Sequence, residues 1–102
     1  MKEITNQLEL NQLLLSPYLV ILVKTHTCTV CHAIEPKIDE IHQRRGVNFG
    51  YTLYGDDLTE FTGQNLVFSS PTLLVYYEGK EVYRDSRFIQ LAAYERFLDK
   101  LL

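Results

Sequence analysis

Apolar and polar positions along the chain change period repeatedly, and each change marks a boundary between elements. Residues 6–15 place Leu8, Leu10, Leu13, Leu14 and Leu15 at roughly helical spacing, with Thr5 or Asn6 as the N-cap. Ser16-Pro17 stops that helix. Tyr18 to Lys24 is a continuous, β-rich apolar run, the pattern of a strand buried on both faces. The next helix runs from about Thr29 to Arg45. Val30, Ile34, Ile38 and Ile41 form one apolar stripe along it, and most of its charged residues fall elsewhere. Arg44 and Arg45 suit the negative end of the helix dipole, and Gly46 suits a C-terminal stop. Pro36 falls inside this helix. It has no N–H to offer the His32 carbonyl and crowds it, so a kink over 32–36 is expected.

Val47 to Tyr54 has the pattern of a second strand, and residues 55–65 that of a turn and short helix. Thr72–Tyr77 and Glu81–Arg84 are predicted strands of a hairpin turning at EGK. Leu91 to Leu101 is a final amphipathic helix with Leu91, Tyr94, Phe97, Leu98 and Leu101 inward. A βαβ unit followed by an antiparallel hairpin and a helix predicts a three-layer α/β/α fold around a central mixed sheet.

At 102 residues, one domain spanning 1–102 is expected, with room for one modest core. A net charge of -3, with basic residues scattered, argues against nucleic-acid binding. The N-terminal stretch has no secretory pattern, and the apolar run YLVILV is too short to cross a bilayer. A cytoplasmic location without membrane attachment is therefore the expectation. Structural disulfides are rare there, so two cysteines three apart suggest metal binding or catalysis.

Cys28 and Cys31 lie in VKTHTCTVCHAIEPK, residues 23–37. CTVCH matches the haem-attachment pattern Cys-x-x-Cys-His. That chemistry accompanies export, the only methionine is Met1, and a second axial histidine would have to be His26 or His42. Zinc has four potential ligands in His26, Cys28, Cys31 and His32. On a helix, Cys31 and His32 point about 100° apart. No second ligand pair follows, so no metal or cofactor is expected. His26 is expected as a solvated loop residue and His42 as a helix-surface residue. Dithiol exchange needs one thiol at a helix N-terminus and a second one turn on, which is what a strand-to-helix turn here would supply. From spacing alone, two ordinary reduced cysteines remain an alternative.

Several stretches together resemble the thioredoxin superfamily over nearly the whole chain. They are the apolar strand before CTVC, CHAIEPKIDEI with its proline five residues after the second cysteine, SSPTLLVYYEGKE, and the closing YERFLDKLL. The resemblance implies a thioredoxin fold with Cys28 as nucleophile, Cys31 as resolving thiol and Pro71 as a cis-proline facing them. It implies that the Ser70 backbone pairs with an extended substrate strand. Thr27 and Arg87 would also line the substrate site.

The departures matter as well. Thr29-Val30 stands where the family commonly has Gly-Pro, and Thr27 and Lys24 stand where it commonly has tryptophans. Leu22 replaces a buried aspartate that assists the resolving thiol, leaving Lys24, His26, His32 or Glu35 as candidate substitutes. A cation at Lys24 would favour the Cys28 thiolate. Ser69-Ser70 and Ser86-Arg87 predict a polar docking rim.

The expected function is thiol–disulfide exchange, reducing protein disulfides and serving cell redox homeostasis. The expected substrate is a disulfide-containing protein or a low-molecular-weight thiol, with a reductase as electron donor and a monomeric state. The alternative is a binding or redox-sensing module that uses the Ser70–Pro71 groove and Tyr76, Tyr77 and Tyr83.

Overall fold

The computed structural model describes residues 1–102. Strand β2 (Tyr18–Lys24) is the central strand of a five-stranded sheet in the order β1-β3-β2-β4-β5. β1 (Lys2–Glu3) and β3 (Gly50–Tyr54) run parallel to it. β4 (Thr72–Tyr77) and β5 (Lys80–Ser86) form the antiparallel hairpin. The sheet is mixed, as the element order predicts.

Both faces of β2 are covered, and the side chains alternate between two cores. Leu19, Ile21 and Val23 pack with Leu10 of α1 (Gln7–Leu13) and Phe61 of α3 (Thr59–Gln64). Val20 and Leu22 pack with Ile38 and Ile41 of α2 (Thr29–Arg45), and with Tyr94 and Leu98 of α4 (Leu91–Leu101). Two helices therefore cover each face, which gives the α/β/α layering.

Several boundaries differ from expectation for local reasons. β1 was not anticipated, because two residues carry no periodicity. It is held by pairing with Tyr51 and Thr52 and by Ile4 N–H donating to the Thr52 carbonyl at 2.7 Å. α1 is shorter than residues 6–15, and Leu8 and Leu15 lie exposed. Its N-cap is Asn6, whose side chain accepts from Glu9 N–H at 2.8 Å. β3 begins at Gly50 rather than Val47, since α2 closes late: the Val47 N–H still bonds to the His42 carbonyl. Gly46 ends α2 in the left-handed region at φ 70°. β5 extends beyond Glu81–Arg84 at both ends.

Helix α2 continues through Pro36. Val30, expected on its inward stripe, is half exposed in the first turn, and the buried stripe is Cys31, Ile38, Ile41 and His42. His42 is thus a core residue rather than a surface one. Its Nε2 is 2.7 Å from the Tyr94 hydroxyl across the α2–α4 interface.

Candidate functional site

The β2–α2 loop carries the chemistry to the end of the sheet. Cys28 is the N-cap of α2, and its sulfur accepts from the Cys31 N–H at 3.2 Å. Cys31 lies one turn on, on the same face. The two form a disulfide with Cα atoms 5.4 Å apart. Cys28 is partly accessible, whereas Cys31 is 1% exposed. An attacker from solvent therefore meets Cys28, and Cys31 is screened behind it. After reduction, the free N–H groups and dipole of the helix start face the Cys28 sulfur and favour a thiolate there.

Strand register supplies the second wall. Val23 pairs with Thr72 in the antiparallel β2–β4 ladder. The chain preceding Thr72 therefore runs beside the loop leaving Lys24. The Thr25 and Ser70 hydroxyls meet at 3.0 Å. The Ser70–Pro71 peptide bond is cis. Arg87 joins from the end of β5: its N–H donates to the Pro71 carbonyl at 2.7 Å, and its Nε lies 3.4 Å from the Ser69 hydroxyl. Thr27 is exposed immediately before Cys28. The two cysteines thus share one end of the fold with Thr27, Ser70, Pro71 and Arg87.

The rim is less polar than Ser69-Ser70 and Ser86-Arg87 suggested. Phe68 is 80% exposed and Phe88 81%, one residue outside each pair. Val30, between the cysteines, is half exposed. The signal was present in VFSSP and SRFI, but an isolated Phe in a loop has no period to show which way it faces. Beside Phe68 and Ser70 a 220 Å³ crevice opens, lined also by Thr25, Asp56 and Thr62.

The candidate substitutes for the missing carboxylate separate in space. Lys24 is buried, and its Nζ bonds to Glu35 at 2.9 Å and lies 4.6 Å from the Tyr54 ring centroid. Burial alone would lower the Lys24 pKa; Glu35 and Tyr54 outweigh it, and the net shift is upward from 10.5. His26 packs on the same tyrosine. It stacks on Tyr54 with centroids 3.9 Å apart, and its Nε2 is 2.9 Å from Asp57. The hydrogen bond to Asp57 raises its pKa above 6.5 despite partial desolvation. His32 is exposed. His26, Asp56 and Asp57 cluster at the surface, all exposed, without either cysteine.

No protein-family model matches the chain. The chain is 33% identical over 75 residues to the thioredoxin-like protein YdfQ of Bacillus subtilis (strain 168). That match covers 72% of this chain and 66% of the relative's length. Thioredoxin from Plasmodium falciparum superposes with a TM-score of 0.88, covering 100% of both chains at 20% identity. Fasciola hepatica thioredoxin gives 0.83, over 97% of this chain and 98% of that one, also at 20% identity. A poplar thioredoxin h gives 0.84, over 98% and 95%, at 16% identity. The chain belongs to the thioredoxin superfamily. Its fold is the thioredoxin fold, and its paired Cys28 and Cys31 support thiol–disulfide oxidoreductase chemistry. No helix is long and apolar enough to cross a membrane.

Proposed function

We propose that this protein is a thiol–disulfide oxidoreductase that reduces disulfides in protein substrates. The observation that carries the proposal is the asymmetry of the pair: an accessible Cys28 sulfur at a helix start, with Cys31 buried one turn behind it. The Cys28 thiolate attacks one sulfur of a substrate disulfide, forming a mixed disulfide and releasing the other substrate sulfur as a thiolate. Cys31, deprotonated, then attacks the Cys28 sulfur. The Cys28–substrate bond breaks, the second substrate thiolate leaves, and Cys28–Cys31 forms. Two electrons pass from the dithiol to the substrate, and both released thiolates take up protons.

Ser70 and Pro71 offer backbone beside the dithiol to an extended substrate segment. Thr27 and Arg87 flank that segment, and Phe68, Phe88 and Val30 offer it apolar contacts. These contacts favour a protein over a low-molecular-weight thiol. Residues 1–102 act as one monomeric domain in the cytoplasm, where a reductase returns the disulfide to the dithiol and the exchange serves redox homeostasis.

Trapping tests this. Cys31→Ser accumulates mixed disulfides through Cys28 that a reductant releases, and the double variant C28S/C31S accumulates none. Equal trapping by Cys28→Ser would sink the role assignment. The alternative binding module is weakened by Tyr76, which is buried in the core and can offer no docking surface. An unperturbed Cys28 thiol near pKa 8.5 with no turnover of a protein disulfide would favour that module instead.

A further inference from the structure

Thr25 is the first residue beyond β2, where the Lys24 carbonyl accepts from the Gly55 N–H at 2.7 Å and the sheet ends. Two of its polar groups are engaged, each by a different part of the site. Its carbonyl accepts from the Cys28 N–H at 3.2 Å, closing the turn that delivers Cys28 to the start of α2. Its hydroxyl meets the Ser70 hydroxyl at 3.0 Å, from 45 residues away in sequence. One residue therefore holds the backbone of the accessible cysteine on one side and the residue before Pro71 on the other.

Ser70 is held differently from its neighbours. Pro71 and Thr72 are tied to the end of β5: the Pro71 carbonyl accepts from the Arg87 N–H at 2.7 Å, and the Thr72 and Ser86 hydroxyls meet at 3.1 Å. Ser69 is tied to the same end, its carbonyl accepting from the Thr72 hydroxyl at 2.7 Å and its own hydroxyl lying 3.4 Å from Arg87 Nε. Ser70 alone reaches across to the β2–α2 loop, and it does so through its hydroxyl. It lies outside every strand, it is half-buried, and its backbone N–H and carbonyl have no hydrogen-bond partner within the chain. Those two free groups are what an extended segment can pair with. The side chain of Ser70 is thus spent on Thr25, and its backbone is left for a substrate.

We propose that Thr25 is a positioning residue for protein substrates: its hydroxyl fixes Ser70 relative to Cys28, so that a segment paired with the Ser70 backbone presents its disulfide in line with the Cys28 sulfur. This rests on the dithiol function proposed above. A thiolate displaces the leaving sulfur along the axis of the S–S bond, so the register of the bound segment against Cys28 sets the rate. A misplacement of about 1 Å can cost on the order of 100-fold. Thr25 takes no part in the bonds made and broken, and it neither gives nor receives a proton. It acts through Ser70 on one side and through the Cys28 backbone on the other. A small disulfide that pairs with no backbone at Ser70 is indifferent to the contact.

Thr25→Val removes the hydroxyl and keeps the carbonyl that takes the Cys28 N–H. Its kcat/KM for a protein disulfide should fall about tenfold, the scale of one lost hydrogen bond. Its rate with hydroxyethyl disulfide, and the pH profile of Cys28 alkylation by iodoacetamide, should stay at wild type. Thr25→Ser restores the hydroxyl and should restore most of the protein-disulfide rate. Ser70→Ala removes the other half of the contact and should match Thr25→Val on the protein substrate. The double variant T25V/S70A should lose no more than either single one, because a contact can be lost only once. Wild-type kcat/KM in T25V would overturn the proposal. So would equal losses on both substrates, which would place the defect in the dithiol, or a double variant whose loss is the product of the two single losses. Each of these results leaves the dithiol function standing if Cys31→Ser still traps substrate. Failure of that trapping would remove the dithiol function itself.

Discussion

His42 Nε2 and the Tyr94 hydroxyl are 2.7 Å apart in the core and tie α2 to α4. The other ring nitrogen, Nδ1, has no hydrogen-bond partner and packs against Gly50. A proton there would be a buried donor with nothing to accept it, so the neutral ring carries its proton on Nε2 and donates to Tyr94. Burial pushes the His42 pKa down to about 4. Asp39 opposes that shift, and the N-terminal ammonium adds to it.

Acid should therefore weaken the fold through this residue before the carboxylates respond. Unfolded, His42 takes up its proton near pH 6.5, while in the folded chain it does so only near 4. Between those values the unfolded state binds the extra proton. Stability is then fully present above 6.5 and falls as pH falls toward 4. The loss should reach about 2–3 kcal/mol between pH 7 and 4.5. Denaturant unfolding should show this slope in the wild type and a flatter one in His42→Gln. A proton NMR titration should place His42 near pH 4 and His26 above 6.5. The His26 contribution has the opposite sign, being present at low pH and lost as pH rises through its folded pKa.

Gly50 is required by the same histidine. A Cβ at Gly50 would lie 2.5 Å from His42 Nδ1 and 2.6 Å from Cε1. The ring is pinned by Tyr94 and cannot swing away cheaply. Gly50→Ala should cost about 1–3 kcal/mol, and most of that should be recovered in G50A/H42A relative to H42A alone. A double-mutant cycle by chemical denaturation measures the coupling, and additive costs would show that the clash is relieved elsewhere.

How legible the molecule was in its sequence follows from which residues had a pattern to display. The run Tyr18–Lys24 announced a doubly buried strand, and the two cores on either side of it are that run's odd and even positions. The site's cysteines and Ser70–Pro71 were visible because family motifs occupy them. The Lys24–Glu35 pair was visible only as two names among four candidates, since pairing across eleven residues depends on how the loop turns. His42 was misplaced on the surface because a polar residue on a helix reads as solvated. Its burial comes from Tyr94, 52 residues away. Phe68 and Phe88 sit in loops, where apolar character alone cannot distinguish core from rim.

The α2–α4 seam also has a charged edge. Glu95 bonds to both Arg44 and Arg45 at 2.9 Å, and Arg45 also reaches Asp99. The two guanidinium hydrogen bonds hold the Glu95 carboxyl down at about 2. Its contribution is therefore present above the ordinary carboxylate range and lost only as pH falls toward 2, a window below that of His42. The edge is solvated, so Glu95→Gln should lower the thermal midpoint slightly at low salt, and the difference should shrink as salt rises. A salt-independent loss would mean that Glu95 matters through packing.

The exposed phenyls distinguish a docking rim from incidental surface. Phe68 and Phe88 are among the most exposed large apolar residues in the chain, and they adjoin Ser69 and Arg87, which meet at 3.4 Å. Removing an exposed ring costs the fold little, so Phe68→Ser and Phe88→Ser should change unfolding free energy by no more than about 0.5 kcal/mol. A ring that docks on a protein substrate loses that contact in the variant, and KM for a protein disulfide should rise about tenfold. Turnover of a small aliphatic disulfide, which reaches Cys28 without touching the rim, should stay at the wild-type rate. Equal losses on both substrates would point to a disturbed dithiol, and unchanged KM on both would remove the phenyls from substrate binding.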